Sequence, residues 1–316
     1  MGTGNSRLLR ILGWLTVAAA LIYVGERLAA NYTSLSTLHI TPSGLTVLAA
    51  CAAAYGAALV PLAIAWGRLA NPGPGSGPPL WQTLSIYGRS QFAKYLPGNV
   101  FHYAGRQVLG RGFGWSQSGM ALASILEIVL IAAAAASMVL AYGAFAKGAL
   151  FSLIPKTALV IGLVACLAAP WALILWAPRV PLLGRLIPKY DAAGFLRSPL
   201  LPTVFLVYVT YFAASGAIAW LALGTLGISI DAALFPTVAA GFVASWLIGY
   251  MTPGASGGIG VREAMFTVLL GGTLGEPTAL ALALALRFAT TSGDLLNFVA
   301  GLLTHRVYDR TQGTHD

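Results

Sequence analysis

Two arginines stand at matching distances from Pro-Gly pairs in a chain that carries few charges. Arg106 lies nine positions after Pro97 of Pro97-Gly98, and Arg262 lies nine positions after Pro253 of Pro253-Gly254. Tyr95 and Tyr250 precede the two pairs. A guanidinium forks onto phosphate or carboxylate oxygens, so each arginine is a candidate anion contact. Between Pro253 and Arg262 run Gly254, Gly257, Gly258 and Gly260, ahead of a helix expected to begin near Val261. Glycines let backbone N–H groups converge, and a helix N-terminus adds partial positive charge, so this run can hold an anion without any side chain. It can equally be a hinge whose glycines pack against neighbouring helices.

Around the first arginine, Arg89, Lys94 and His102 add positive character. Tyr87, Tyr95, Phe101 and Tyr103 interleave aromatics suited to the headgroup level, and Asn99 can bond freed backbone or a ligand. One reading is the cationic wall of a cavity for an anionic lipid headgroup; the other is an interfacial helix resting on anionic lipid.

Glu127, Arg287 and Asp294 are embedded in apolar runs. A charge there costs at least about 2.5–3.5 kcal/mol on insertion scales. Arg287 and Asp294 are seven apart, so they share a helix face but do not touch. Their partners are expected on other helices, with Glu127 and Arg262 among the candidates. Such a set either gates and coordinates a substrate or locks helices together. Glu263 adjoins Arg262, but neighbouring positions on a helix point apart, so the two are no dyad.

The catalytic constellations are missing. The sequence has no H-E-x-x-H, G-x-S-x-G or P-loop motif, and its 4 His are too few for a His-rich metal centre, so no cofactor is expected. The net charge of +9 would suit nucleic acid in a soluble protein, but here the basic residues sit in loops between apolar runs, and no nucleic acid partner is expected. Cys51 and Cys166 each lie inside an apolar run and read as small core residues.

The elements that must position these residues are apolar helices. With 58% hydrophobic and only 9% charged residues, and a mean hydropathy of +0.79, the chain cannot hide its apolar surface in a water-soluble domain. Spans are expected at Leu8–Gly25, Leu45–Trp66, Ser116–Tyr142, Thr157–Trp176, Leu200–Leu226, Ala233–Met251 and Thr278–Leu303, with a shorter apolar piece at Ala264–Leu274. The fold class is therefore an all-α integral membrane protein of about seven to eight transmembrane helices. Leu80–Trp115 and Thr252–Glu263 interrupt the pattern and read as two re-entrant or broken helical elements, which lipid tolerates only where they line a cavity or are buried in protein. Asn71–Pro79 reads as a flexible linker.

Residues 1–316 form a single polytopic domain. The echo around Arg106 and Arg262 divides it into repeat halves 1–156 and 157–316, either parallel or inverted, unless the matching Pro-Gly pairs are a coincidence. Basic residues at 7 and 10, across Arg68–Arg111, across Arg179–Arg197 and at 306 and 310 fall on one side when the spans alternate, with Lys147 and Lys156 opposing them. That places both termini in the cytoplasm of a cell membrane protein.

At these residues the chain resembles the lysylphosphatidylglycerol synthase transmembrane-domain family. Lys94–Gly114 (KYLPGNVFHYAGRQVLGRGFG), followed by a helix bearing Glu127, is similar to the family's first signature. Thr252–Phe266 (TPGASGGIGVREAMF), followed by Ala285–Leu296 (ALRFATTSGDLL), is similar to its second. The resemblance covers about residues 10 to 305. It implies a flippase-like domain in which two re-entrant elements surround a lipid-sized cavity. It also implies functional weight at Pro97, Gly98, Arg106, Glu127, Pro253, Gly254, Arg262, Glu263, Arg287 and Asp294. The aminoacyl transferase domain of the family's multiple peptide resistance factors has no counterpart in these 316 residues.

The leading expectation is a lipid flippase that moves an anionic lipid between leaflets: a polyprenyl-phosphate-linked sugar, a glycolipid or a modified phospholipid. Arg106 and Arg262 would bind phosphate, while Glu127, Glu263, Arg287 and Asp294 would gate or couple. The alternatives are a membrane enzyme transferring a group onto a lipid, with Glu127 or His102 as base, and a non-catalytic partner of a glycosyltransferase or another lipid-modifying enzyme.

Overall fold

The computed structural model describes residues 22, 24–26, 28–33, 41–71, 77–96, 100–146, 155–176 and 199–312, with side chains described up to residue 304. Pro97, Gly98 and Asn99 lie outside the described residues, as do most of the expected first span and the basic stretch Arg179–Arg197. The described residues contain helices and turns and no strand. The long helices are α1 (Pro42–Ala70), α2 (Leu80–Gln91), α3 (Phe101–Gly112), α4 (Gln117–Gly143), α5 (Lys156–Trp176), α6 (Leu200–Leu221), α7 (Phe235–Met251), α8 (Val261–Leu274) and α9 (Glu276–Gln312).

Local chemistry fixes several boundaries. The Thr41 hydroxyl accepts from the Gly44 amide at 3.1 Å, and Pro42 follows at the first helical position of α1. Ser116 caps α4 in the same way, accepting from Gly119 at 3.3 Å. A single residue, Gly275 at φ +80°, turns α8 into α9.

Five helical stretches are long and apolar enough to cross a membrane: Pro42–Ala70, Gln117–Gly143, Leu200–Leu226, Ala232–Met251 and Glu276–Thr304. In α5 the apolar stretch is shorter, Lys156–Ala172, and α8 has only 14 residues. Against the expected seven to eight spans, the described residues supply five helices of that kind. Exposed apolar side chains such as Leu206, Val268, Phe288, Leu295 and Leu296 stud the outside. In water such a surface would be a liability; beside lipid tails it is ordinary, and the chain reads as a multi-pass membrane protein. Cys51 is buried as expected, but Cys166 sits half-exposed on α5.

The longest helix, α9, is the spine. It packs on α1, α2 and α8. Its buried positions Ala279, Ala283, Leu286, Thr290 and Asp294 recur at three- and four-residue spacing, which keeps them on one face. Lower on the helix, Gly293 meets α1 backbone to backbone. A Cβ there would fall 2.8 Å from the Ala52 carbonyl and 2.9 Å from the Gly56 nitrogen. Asn297 donates to the Gly56 carbonyl at 2.7 Å and seals the same crossing. Small residues with one polar side chain are how helices approach closely where no water drives them together.

The two interruptions are real breaks in helix geometry. After α2 the chain tightens into a 3₁₀ turn, Phe92–Tyr95, leaves it at an extended Leu96, and the next described helix begins at Phe101. After α7, Thr252–Gly260 crosses to α8 through Gly254, Gly257, Gly258 and Gly260, all at positive φ between 56° and 82°. Other side chains rarely adopt that backbone region, so the glycines are what permits the turn.

Candidate functional site

His102, Arg106 and Gly110 recur at four-residue spacing and form the buried face of α3. Arg106 is 1% exposed and pairs with Glu127 of α4. Its second terminal nitrogen lies 3.3 Å from the Gln91 side-chain oxygen. Tyr87 donates to the other oxygen of Glu127 at 2.9 Å. Three rings close around the guanidinium: Tyr87 at 4.1 Å, Trp66 at 5.0 Å and Tyr103 at 5.3 Å. Both charges are thereby neutralised inside an aromatic cage that ties α1, α2, α3 and α4 together.

The first break is clasped to α9. Lys94 approaches one oxygen of Asp294 at 2.8 Å, and Tyr95 donates to the other at 2.5 Å. The second break is clasped to the same helix two turns earlier. Arg287 reaches Glu263 at 3.4 Å and donates to the Gly257 carbonyl at 3.0 Å. The two breaks also touch each other: a Cβ on Gly257 would fall 2.8 Å from the Tyr95 ring.

Arg262 has a different environment. Its stem threads between Gly249 and Gly258, where an added Cβ would lie 2.5 Å from the arginine in either case. Its guanidinium stands 5.3 Å from the Trp246 ring, and its buried Nε has no hydrogen-bond partner. Among the described residues no carboxylate lies within ion-pair distance of it. The adjacent Glu263 points instead to Arg287, in keeping with the expectation that the neighbours form no dyad.

Two hollows flank Arg262. The first, of about 50 Å³, is lined by Lys94, His102, Arg106, Glu127, Gly257 and Arg262 together with Tyr55, Tyr87, Tyr103, Tyr211, Trp246 and Tyr250. The second, of about 30 Å³, lies between α7, α8 and α9 and is lined by Ser245, Trp246, Arg262, Glu263, Arg287 and Thr290. Across the first hollow the hydroxyls of Tyr103 and Tyr250 share a hydrogen bond of 2.8 Å. His102 Nδ1, Glu263 Oε2 and Arg287 Nη2 are buried without a partner, so the walls keep unspent donors and acceptors.

The structure therefore gathers Lys94, His102, Arg106, Glu127, Gly257, Arg262, Glu263 and Arg287 around two neighbouring hollows, with Tyr95, Gly258 and Asp294 supporting them. Arg89 does not line either hollow; its backbone and stem lie against Gly301 of α9. Pro253 is exposed, Gly254 is half-buried, and neither reaches the lining. Glu127 and Arg262 do not partner the α9 charges, which find Lys94 and Glu263 instead. The glycines around residue 257 act chiefly by close approach: the Gly258 and Ile259 amides are spent on turns to Ala255 and Ser256. Tyr87, read in the sequence as a headgroup-level aromatic, is 3% exposed in the core.

Sequence reasoning missed Trp66, Gln91, Tyr55, Tyr211 and Trp246. The available signal was aromatic residues with polar tips in the middle of apolar runs, where no water satisfies the tip and a partner is needed. Neither a family model, nor a curated protein, nor a solved structure matches the chain.

Proposed function

We propose that this protein carries an anionic lipid across the bilayer, receiving the headgroup in the hollow at Arg262 while the tails stay in lipid. The observation that carries the reading is Arg262 itself: an arginine set between two hollows, beside Trp246, with no carboxylate among the described residues within ion-pair distance. A cation in such surroundings is costly unless an anion completes it. Arg106 contributes differently. Its charge is already met by Glu127, so it shapes the aromatic wall until that pair opens.

The fold supports the reading in two further ways. Each arm of the α2–α3 unit has 12 residues, about 18 Å of helix, well short of a hydrocarbon core of about 30 Å. In this reading α2–α3 is a re-entrant hairpin, α7–α8 is its broken counterpart from the second half, and both termini are cytoplasmic. Both units are held by side chains of α9, so movement of α9 would act on both at once. The resemblance to the lysylphosphatidylglycerol synthase transmembrane domains points the same way. Of the two candidate bases of the enzymatic alternative, Glu127 has both oxygens occupied by Arg106 and Tyr87, while His102 Nδ1 stays open in the wall of the first hollow.

Reconstitution in liposomes tests this. With a fluorescent anionic phospholipid and a membrane-impermeant quencher, the wild type is expected to expose inner-leaflet label faster than protein-free vesicles. Arg262→Ala is expected to slow that rate by about tenfold or more, the loss of one charge-assisted contact of at least about 1.4 kcal/mol. An Arg262→Ala rate equal to wild type would remove the headgroup role assigned to this residue.

A further inference from the structure

Among the described residues the charges around the two hollows do not sum to zero, and the remainder defines the ligand. Lys94, Arg106, Arg262 and Arg287 are the cations of the two walls and their clasps; Glu127, Glu263 and Asp294 are the anions. Three of the cations are matched one to one: Arg106 with Glu127, Lys94 with Asp294, Arg287 with Glu263. With His102 neutral, four cations against three carboxylates leave one positive charge, carried by Arg262. Every other described charged side chain lies outside this set: Glu26, Arg68, Arg111, Lys156 and Asp231 are exposed, and Arg89 and Glu276 line neither hollow.

We infer that the site takes a headgroup bearing a single net negative charge, a phosphodiester monoanion, and discriminates against phosphomonoester or diphosphate dianions and against zwitterions. This rests on the lipid-carrier reading and narrows its substrate class. An interior of low dielectric penalises net charge of either sign, so the occupied site is cheapest when the sum is zero. One phosphodiester balances Arg262. A dianion overshoots by one charge, and a zwitterion leaves the arginine uncompensated. The aromatic lining fits the same ligand: the Trp246 and Tyr250 rings stack on each other at 4.9 Å beside the arginine and give an apolar surface to whatever the diester links to the lipid.

The test is a titration of the purified full chain in detergent with three short-chain lipids: a phosphatidylglycerol, a phosphatidic acid and a phosphatidylcholine. It is run at about pH 8, above the second pKa of about 6 of a phosphomonoester. The wild type is expected to bind phosphatidylglycerol at least about tenfold more tightly than the other two. Glu263→Gln frees Arg287 and raises the sum to two, so its preference is expected to move to phosphatidic acid. Arg262→Gln brings the empty site to zero and is expected to lose the phosphatidylglycerol preference, which Arg262→Lys restores. Elution of each variant as a monodisperse peak separates lost binding from lost folding. Equal affinity of the wild type for the two anionic lipids, or an unmoved preference in Glu263→Gln, overturns the charge-matching inference and leaves the anionic-lipid reading standing. Binding of neither anionic lipid in preference to phosphatidylcholine overturns both.

Discussion

Arg106 and Arg262 hold the same place relative to a Pro-Gly pair, yet their surroundings give them opposite parts. Arg106 is caged by Tyr87, Trp66 and Tyr103 and matched by Glu127. Removing one member of such a buried pair strands the other. Glu127→Gln is therefore expected to lower the unfolding free energy by about 3–5 kcal/mol. The double variant Arg106→Met with Glu127→Leu is expected to lose clearly less than either single change, because no charge is left behind. Thermal unfolding in detergent measures both. Additive losses would show that the two side chains do not act as a pair. Arg262 has no such lock, and its substitution is expected to alter transport far more than stability.

Breaks in the helices decide what the residues can reach. Gly258 sits at φ +71°, and an added Cβ would run into Arg262 at 2.5 Å. Gly258→Ala is expected to cost about 1–2 kcal/mol for the left-handed backbone alone. It should also displace the Arg262 stem, so anionic-lipid transfer falls while the protein still elutes as a folded species. Unchanged transfer in that variant would mean that the glycine serves only the turn. The long helices are plain in the sequence: Leu45–Trp66, Ser116–Tyr142 and Ala233–Met251 differ from α1, α4 and α7 by at most a few residues at either end, because some twenty apolar residues with at most one charge have few other uses. The breaks were also visible, since Pro-Gly and clustered glycines disrupt helix locally. The pairing of charges was not. Lys94 and Asp294 are 200 positions apart, and nothing in either local sequence says which of several carboxylates the lysine meets. The identity of the unpaired arginine was hidden for the same reason, since it follows only once every other partner is assigned. Trp66 and Tyr211 escaped notice because inside an apolar run they look like any other lipid-compatible bulk.

At the scale of the whole molecule, α9 joins the parts. Asp294 holds the first break through Lys94 and Tyr95, Arg287 holds the second through Glu263 and Gly257, and Gly293 lets α1 lie against the same helix. A shift of this one helix would loosen both walls of the hollow together, which suits a carrier that must open to each leaflet in turn. The first hollow is bridged where the Tyr103 and Tyr250 hydroxyls meet at 2.8 Å, so a thiol cross-linker as long as the two side chains can join α3 to α7 there. The decisive measurement is lipid transfer by Tyr103→Cys with Tyr250→Cys, joined by a reducible bifunctional methanethiosulfonate, in a background with Cys51 and Cys166 changed to Ser. If the hollow is the path, cross-linking is expected to bring transfer down to the rate of protein-free liposomes, and reductant is expected to restore it. Full-rate transfer by protein that is quantitatively cross-linked would contradict the account, for a headgroup could not then be passing between these two elements.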